Sequence, residues 1–502
     1  MSDKPNILVI MTDQQRYDTI GALGNALIQT PALDRLVHGG TSFTSAYCAS
    51  PVCVASRCSF VLGEYPHMTG CTANTPMPLE RKSMMQYFSE AGYQTHGVGK
   101  MHFSPKMETL WGFDSRDFSE GSGQTGDFRK FLNDNGFDHV LMPNGERSEY
   151  YYIPQPAQLP DRLHNTTWTG DRTLDFLERR DRERPFFLWM SFFKPHPPFE
   201  APVPWNRLYR LIEMDPPEVP PENDHLLCYW NHFQNRYKYR DQGNDMNLIR
   251  AMRAMYYSII SHLDYQIGRV LDRLESEGIL DDTLVLFTSD HGEFLGDYNS
   301  YGKRSYLDPA ARVPLLVRYP KRFGANVQCD TPVSLVDALP TVLGAAGVET
   351  EPQHVGVDLA DIASGDSGRD EVIGQLSEEA KGLYAFITRD YKYMYSAADQ
   401  KEWLFRRLSG QVEKRSLVGH PAYRNVLEDL RSRLITRFRE DGYDKPLNGD
   451  AWREFEQPTI PDAPDALQLF QDGGSIADLF PDGYRPRVDP SGGRGLSRRA
   501  RS

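Results

Sequence analysis

Two aspartates, a cysteine and a few basic side chains are the residues most able to do chemistry in this chain. Asp13 follows the apolar run Asn6 to Met11 and a threonine, and Asp290 follows Leu284 to Thr288 and a serine. Carboxylates brought together from two such strand ends repel unless a cation lies between them, and oxygen-rich ligation suits a hard divalent ion such as calcium. A single acid at a strand end more often caps a turn. The matched pair, with His291 directly after Asp290, favours a metal site.

Cys53 stands in Ser50-Pro51-Val52-Cys53-Val54-Ala55-Ser56-Arg57, ahead of a helical pattern. An anion at that helix start would meet free backbone N–H groups and the positive end of the helix dipole. Arg57, one turn on, can fork to an anionic oxygen. A low-pKa thiolate is one reading of Cys53. Zinc ligation by Cys48, Cys53 and Cys58 is a second, although the spacing fits no common zinc pattern. Three buried cysteines acting as small apolar side chains is the third.

The elements that would position these groups are short apolar runs ending in polar residues. Besides the two above, Thr95 to Val98 runs into Gly99-Lys100-Met101-His102, Phe186 to Phe193 into Lys194-Pro195-His196, and Val313 to Tyr319 into Pro320. Runs of this kind suit strands buried on both faces of a parallel sheet. Helical spacing over 82–91, 169–180 and 248–277 lies between them, so the reading is an α/β fold with a mostly parallel central sheet flanked by helices. Ligands of such sheets bind outside the carboxyl ends of the strands, where Asp13, Lys100, His102, His196, Asp290 and His291 fall. Three parts are expected: a catalytic domain over 1–373, a small α+β subdomain with a short antiparallel sheet and a helix over 374–442, and a Pro/Gly-rich extension over 443–502 that ends in Arg494, Arg498, Arg499 and Arg501. Tyr229 to Tyr239 forms an aromatic and basic cluster that suits either a pocket wall or an exposed helix.

These motifs, in this order, resemble those of the sulfatase family. Cys53-Val54-Ala55-Ser56-Arg57 resembles the signature Cys-x-Pro/Ala-Ser-Arg. Gly99-Lys100-Met101-His102 resembles the family's Gly-Lys-x-His, and His196-Pro197-Pro198-Phe199 its second histidine segment. Ser289-Asp290-His291-Gly292 with Gly302-Lys303-Arg304 resembles the metal strand and its downstream lysine. The resemblance implies an alkaline phosphatase-like fold and hydrolysis of a sulfate ester. It implies that a maturation enzyme oxidises Cys53 to formylglycine, the nucleophile. Asp13, Gln14, Asp290, His291 and the modified Cys53 would hold one divalent cation, calcium or else manganese. Arg57, Lys100 and Lys303 would balance charge on the sulfuryl oxygens. His196, helped by Lys303, would protonate the leaving alcohol, and His102 would act in the later step that releases sulfate. Two residues depart from the family pattern: Gln14 stands where a second Asp is usual, and His291 where Asn is usual. Both occur in relatives that cleave phosphonate monoesters or phosphodiesters, which keeps that activity as the alternative. A non-catalytic anion-binding protein on the same scaffold is the second alternative.

Composition bounds the rest. At 502 residues the chain exceeds one small core, and a net charge of −13 argues against nucleic acid as a partner. No stretch is apolar enough to span a bilayer, and none reads as a signal peptide, so a cytoplasmic enzyme is expected. Six cysteines make no disulfide framework at this length. The expected substrate is a small-molecule or saccharide sulfate ester. An oligomer is compatible with the sequence.

Overall fold

The computed structural model describes residues 4–121, 123, 125–147, 151–239, 245–407, 413–460, 481 and 483. An eight-stranded sheet organises them. In chain order its strands are β1 (Asn6–Asp13), β2 (Thr41–Phe43), β3 (Gln94–Gly99), β4 (Ser115–Phe118), β5 (Phe186–Pro195), β6 (Thr283–Ser289), β7 (Leu315–Arg318) and β8 (Val327–Cys329), and in space the order is β8-β2-β7-β6-β1-β5-β3-β4. The pairs β6–β1, β1–β5, β5–β3 and β3–β4 are parallel. Strand β1 shows why the runs are continuously apolar. Ile7, Val9 and Met11 enter one core and Leu8 and Ile10 the other, all fully buried.

One expectation fails here. The run Val313 to Tyr319 yields β7, but β7 is antiparallel to both β6 and β2. Burial on both faces explains an unbroken apolar run whatever the strand direction, so the pattern does not reveal orientation.

Helices α1 (Pro31–Gly39), α3 (Asn165–Arg179) and α5 (Met246–Ser276) cover one face. Helices α2 (Cys53–Leu62) and α6 (Ala338–Ala345) cover the other, and α4 (Tyr229–Tyr239) lies beside the site. No helix among the described residues is long and apolar enough to cross a membrane.

A second, antiparallel sheet follows: Glu371–Leu376, Leu383–Thr388, Tyr391–Ser396 and Lys401–Arg406, backed by α7 (Arg424–Glu440). The expected division at 373/374 falls inside the first of these strands. Beyond 443, Leu447–Asn448 and Ala451–Trp452 pair as a hairpin, and the Trp452 indole stacks on Tyr395 at 4.4 Å. Arg494, Arg498, Arg499 and Arg501 lie outside the described residues, as do the side chains of Arg236, Tyr237, Lys238 and Tyr239.

Candidate active site

Four strand ends and one helix start converge. Asp13 closes β1, Lys100 follows β3, His196 follows β5, and Asp290 and His291 follow β6. Cys53 is the first residue of α2, whose preceding residue, Val52, offers no side-chain cap. The ligand atoms of Asp13, Cys53, Asp290 and His291 all lie within 4.8 Å of one another, and all four residues are buried.

Each carboxylate divides its oxygens between a cationic side chain and the cluster. Asp13 Oδ2 accepts from Lys100 Nζ, with Arg57 Nη2 3.5 Å away. Asp290 Oδ2 accepts from Arg57 Nε at 2.8 Å. Asp13 Oδ1 and Asp290 Oδ1 turn inward, 3.8 and 3.5 Å from His291 Nε2. His291 Nδ1 lies 3.0 Å from the Gly292 carbonyl, a contact that turns Nε2 toward the cluster. Gln14 holds a left-handed backbone (φ 71°), fixed by donation of its N–H to Asp290 Oδ1 and by Tyr256 OH on its carbonyl.

Cys53 Sγ is 3.1 Å from His291 Nε2 and 3.0 Å from Lys303 Nζ, and Lys303 also donates to Gln14 Oε1 at 2.8 Å. Burial and Asp13 push the Cys53 thiol up, but Lys303, Lys100 and His291 outweigh them and hold it well below the usual thiol range. Burial likewise opposes ionisation of Asp13, yet Lys100, His196, Lys303 and Arg57 keep its carboxyl well below the usual carboxylate range. Asp290 moves the other way, because burial and the charge of Asp13 outweigh His291 and Arg57. Two such acids at one point call for a positive charge between them.

The other expected residues take distinct positions. Arg57 is fully buried and spends its guanidinium on both aspartates, the Lys100 carbonyl at 2.6 Å and Ser191 Oγ at 3.0 Å. It therefore holds the carboxylates, while its buried Nη2 has no hydrogen-bond partner among the described residues. His196 is buried, with Nδ1 2.6 Å from the Pro197 carbonyl. Burial lowers its pKa well below the usual imidazole value, and Lys303, Lys100 and Arg147 add to this against the pull of Asp13. His102 is half-buried in a left-handed conformation (φ 61°), its N–H held by Glu120, and Nδ1 has no hydrogen-bond partner among the described residues. No hydrogen bond among the described residues links it directly to Cys53. Cys48 and Cys58 stand apart from the cluster. Burial pushes the Cys48 thiol up, and contact with Cys71, then burial, does so for Cys58.

Three supporting residues were not singled out from sequence. Ser191 bridges Arg57 and the Lys100 carbonyl. Gln234 on α4 brackets the Lys303 peptide, accepting its N–H at 3.3 Å and donating to its carbonyl. Glu293 receives the side-chain amide of Gln14. Only Glu293 had a sequence signal, its place three residues past Asp290.

The chain resembles known proteins over most of its length. The family model described as sulfatase matches residues 5–348, and one described as N-sulphoglucosamine sulphohydrolase, C-terminal, matches 296–440. An arylsulfatase of Clostridium perfringens is 30% identical over 474 residues, covering 88% of this chain and 96% of that protein. An N-acetylglucosamine-6-O-sulfatase of Bacteroides thetaiotaomicron is 24% identical, covering 85% of each. The solved structure of a phosphonate monoester hydrolase of Agrobacterium radiobacter superposes with a TM-score of 0.78 at 22% identity, over 87% of this chain and 96% of that one, and shares the fold. The fold is alkaline phosphatase-like. The chain belongs to the sulfatase family and is a sulfuric ester hydrolase.

Proposed function

We propose that this enzyme hydrolyses a sulfate monoester with a formylglycine made from Cys53 by a maturation enzyme, and with one divalent cation, calcium or manganese. The observation that carries the reading is Cys53 itself. It is buried at a helix start, within reach of His291 and Lys303 and beside two inward-facing carboxylate oxygens. Carboxylate oxygens, the Gln14 amide oxygen and one imidazole form a donor set that fits a hard divalent ion. When bound, the cation would act as a Lewis acid on the ester and acidify the attacking hydroxyl at position 53.

The chain's own residues divide the remaining work. Lys100 and Arg57 neutralise Asp13 and Asp290 and hold them in place. Lys303 reaches position 53 directly and is placed to balance charge on the sulfuryl oxygens. His196 is the proton donor to the leaving alcohol. The negative charge of a bound ester opposes the groups that lower its pKa, so binding favours the protonated form it needs. His102, whose Nδ1 has no partner among the described residues, is the base of the later step that releases sulfate. The saccharide sulfatase among the relatives supports a sulfated sugar as substrate. The six unpaired cysteines support a reducing, cytoplasmic setting.

Gln14, His291 and the fold shared with a phosphonate monoester hydrolase favour a second reading, hydrolysis of phosphonate monoesters or phosphodiesters. Turnover of an aryl sulfate and of an aryl phosphonate by the same preparation separates the two. Faster sulfate turnover is expected, and exclusive phosphonate turnover would overturn the first reading.

A further inference from the structure

We propose that Glu293 is a positioning residue that fixes the side-chain amide of Gln14, and that it makes an amide rather than a carboxylate the ligand at that corner of the metal site. This rests on the metal reading above. Gln14 lies between two groups of fixed polarity. The ammonium of Lys303, a donor only, is 2.8 Å from Gln14 Oε1, and the carboxylate of Glu293 accepts from Gln14 Nε2. A primary amide has one accepting and one donating end, so only one of its two flips satisfies both neighbours. That flip directs Oε1, the atom able to ligate a hard cation, toward Lys303 and hence toward Cys53, which Lys303 also contacts at 3.0 Å.

Glu293 is itself held rigidly. It is fully buried. Oε2 accepts from Tyr152 OH at 2.9 Å as well as from Gln14, while Oε1 accepts from the backbone N–H groups of Leu295 at 3.0 Å and Gly302. Four donors therefore converge on its two oxygens. A carboxylate at position 14 would face this one directly, with no donor between them, and like charges so placed oppose each other. The departure at Gln14 and the acid at Glu293 thus form a matched pair: the negative charge lies one residue behind the ligand instead of on it. Such partners of a metal ligand typically change metal affinity by about 10- to 100-fold when lost.

The test is a polarity swap read by metal binding rather than by turnover. Metal-stripped wild type, Gln14→Glu, Glu293→Gln and the double variant are titrated calorimetrically with calcium chloride and with manganese chloride, and melting curves report folding. Each single variant is expected to bind about tenfold or more weakly than wild type. The double variant restores one donor and one acceptor with reversed polarity and is expected to bind at least as tightly as wild type. A double variant no better than Glu293→Gln would overturn the proposal, since it would show that Glu293 matters only for the Leu295–Gly302 loop. Should Glu293→Gln not fold, Gln14→Glu decides alone. Weaker binding supports the pairing, whereas tighter binding, as an added charge on the ligand would give without Glu293, overturns it. Wild-type protein that binds neither ion would overturn the metal reading and this assignment with it.

Discussion

Asp13 and Asp290 end adjacent parallel strands one residue beyond the paired Thr12 and Ser289, so both carboxylates enter the site from the same edge of the sheet. Each gives its Oδ2 to a cationic side chain and turns its Oδ1 toward His291. The sheet forces two like charges together, and Lys100 and Arg57 compensate only their outer oxygens.

A bound cation should therefore stabilise the fold as well as support turnover. Exhaustive chelation is expected to abolish aryl sulfate hydrolysis and lower the melting temperature, with both restored by calcium or manganese. At a metal concentration 100-fold above Kd the stabilisation is about 2.7 kcal/mol. Demetallated protein with unchanged turnover and melting would show that the cluster holds no ion.

Gly99 sets the position of Lys100. It has φ +85°, and a Cβ built there would lie 2.0 Å from the Ser191 carbonyl oxygen, which already accepts the Lys100 N–H at 3.0 Å. Gly99→Ala must push β3 away from β5 or change the backbone conformation. A loss of roughly 2 kcal/mol or more in denaturant melts is expected, with a fall in kcat larger than a distant core substitution of equal cost produces. Wild-type kcat in a folded Gly99→Ala variant would mean that Lys100 does not need this register.

The two histidines should separate by leaving group. An alkyl alcohol needs a proton to depart, whereas a nitrophenol leaves as a stable anion. His196→Ala should harm alkyl sulfate cleavage by about two orders of magnitude more than nitrophenyl sulfate cleavage. His102→Ala should slow both alike and produce a burst of nitrophenol before a slow phase. Equal sensitivity of both substrates to loss of His196 would remove it as the acid.

Away from the site, His262 supplies a pH dependence of stability. It is buried under Trp205, 3.0 Å from Asp161 Oδ1, with His164 and Glu200 nearby. Burial lowers its pKa from 6.5 to about 4. Between those values the unfolded chain binds the proton and the folded chain does not, so stability falls as pH drops through that window, by about 3 kcal/mol at most. Chemical melts at pH 7 and pH 4.5 should show this loss shrinking in His262→Gln. An unchanged difference would assign the acid sensitivity to other groups.

Two parts of the site were legible: the helix start with Cys53 and Arg57, and the ends of the apolar strands. Asp13, Lys100, His196, Asp290 and His291 each follow an apolar run, and a buried run must end where the backbone meets polar surroundings. Ser191, Gln234 and the partners of His164 and His262 were not legible, because each is defined by a contact across more than 30 residues. Trp452 lay in a stretch read as an extension from its Pro and Gly content, yet its indole closes over Tyr384 and Tyr395. Composition records what a segment lacks, whereas Tyr443, Leu447 and Trp452 together dock this one.

The central claim concerns the atom at position 53. Trypsin releases Leu36 to Arg57, which carries both Cys48 and Cys53. In active enzyme, mass spectrometry of this peptide should find one cysteine in which the sulfur and two hydrogens are replaced by a single oxygen. Fragmentation should place that change at Cys53 and leave Cys48 a thiol, and Cys53→Ala should have no measurable turnover. Fully active protein with an intact thiol at Cys53 would contradict the account.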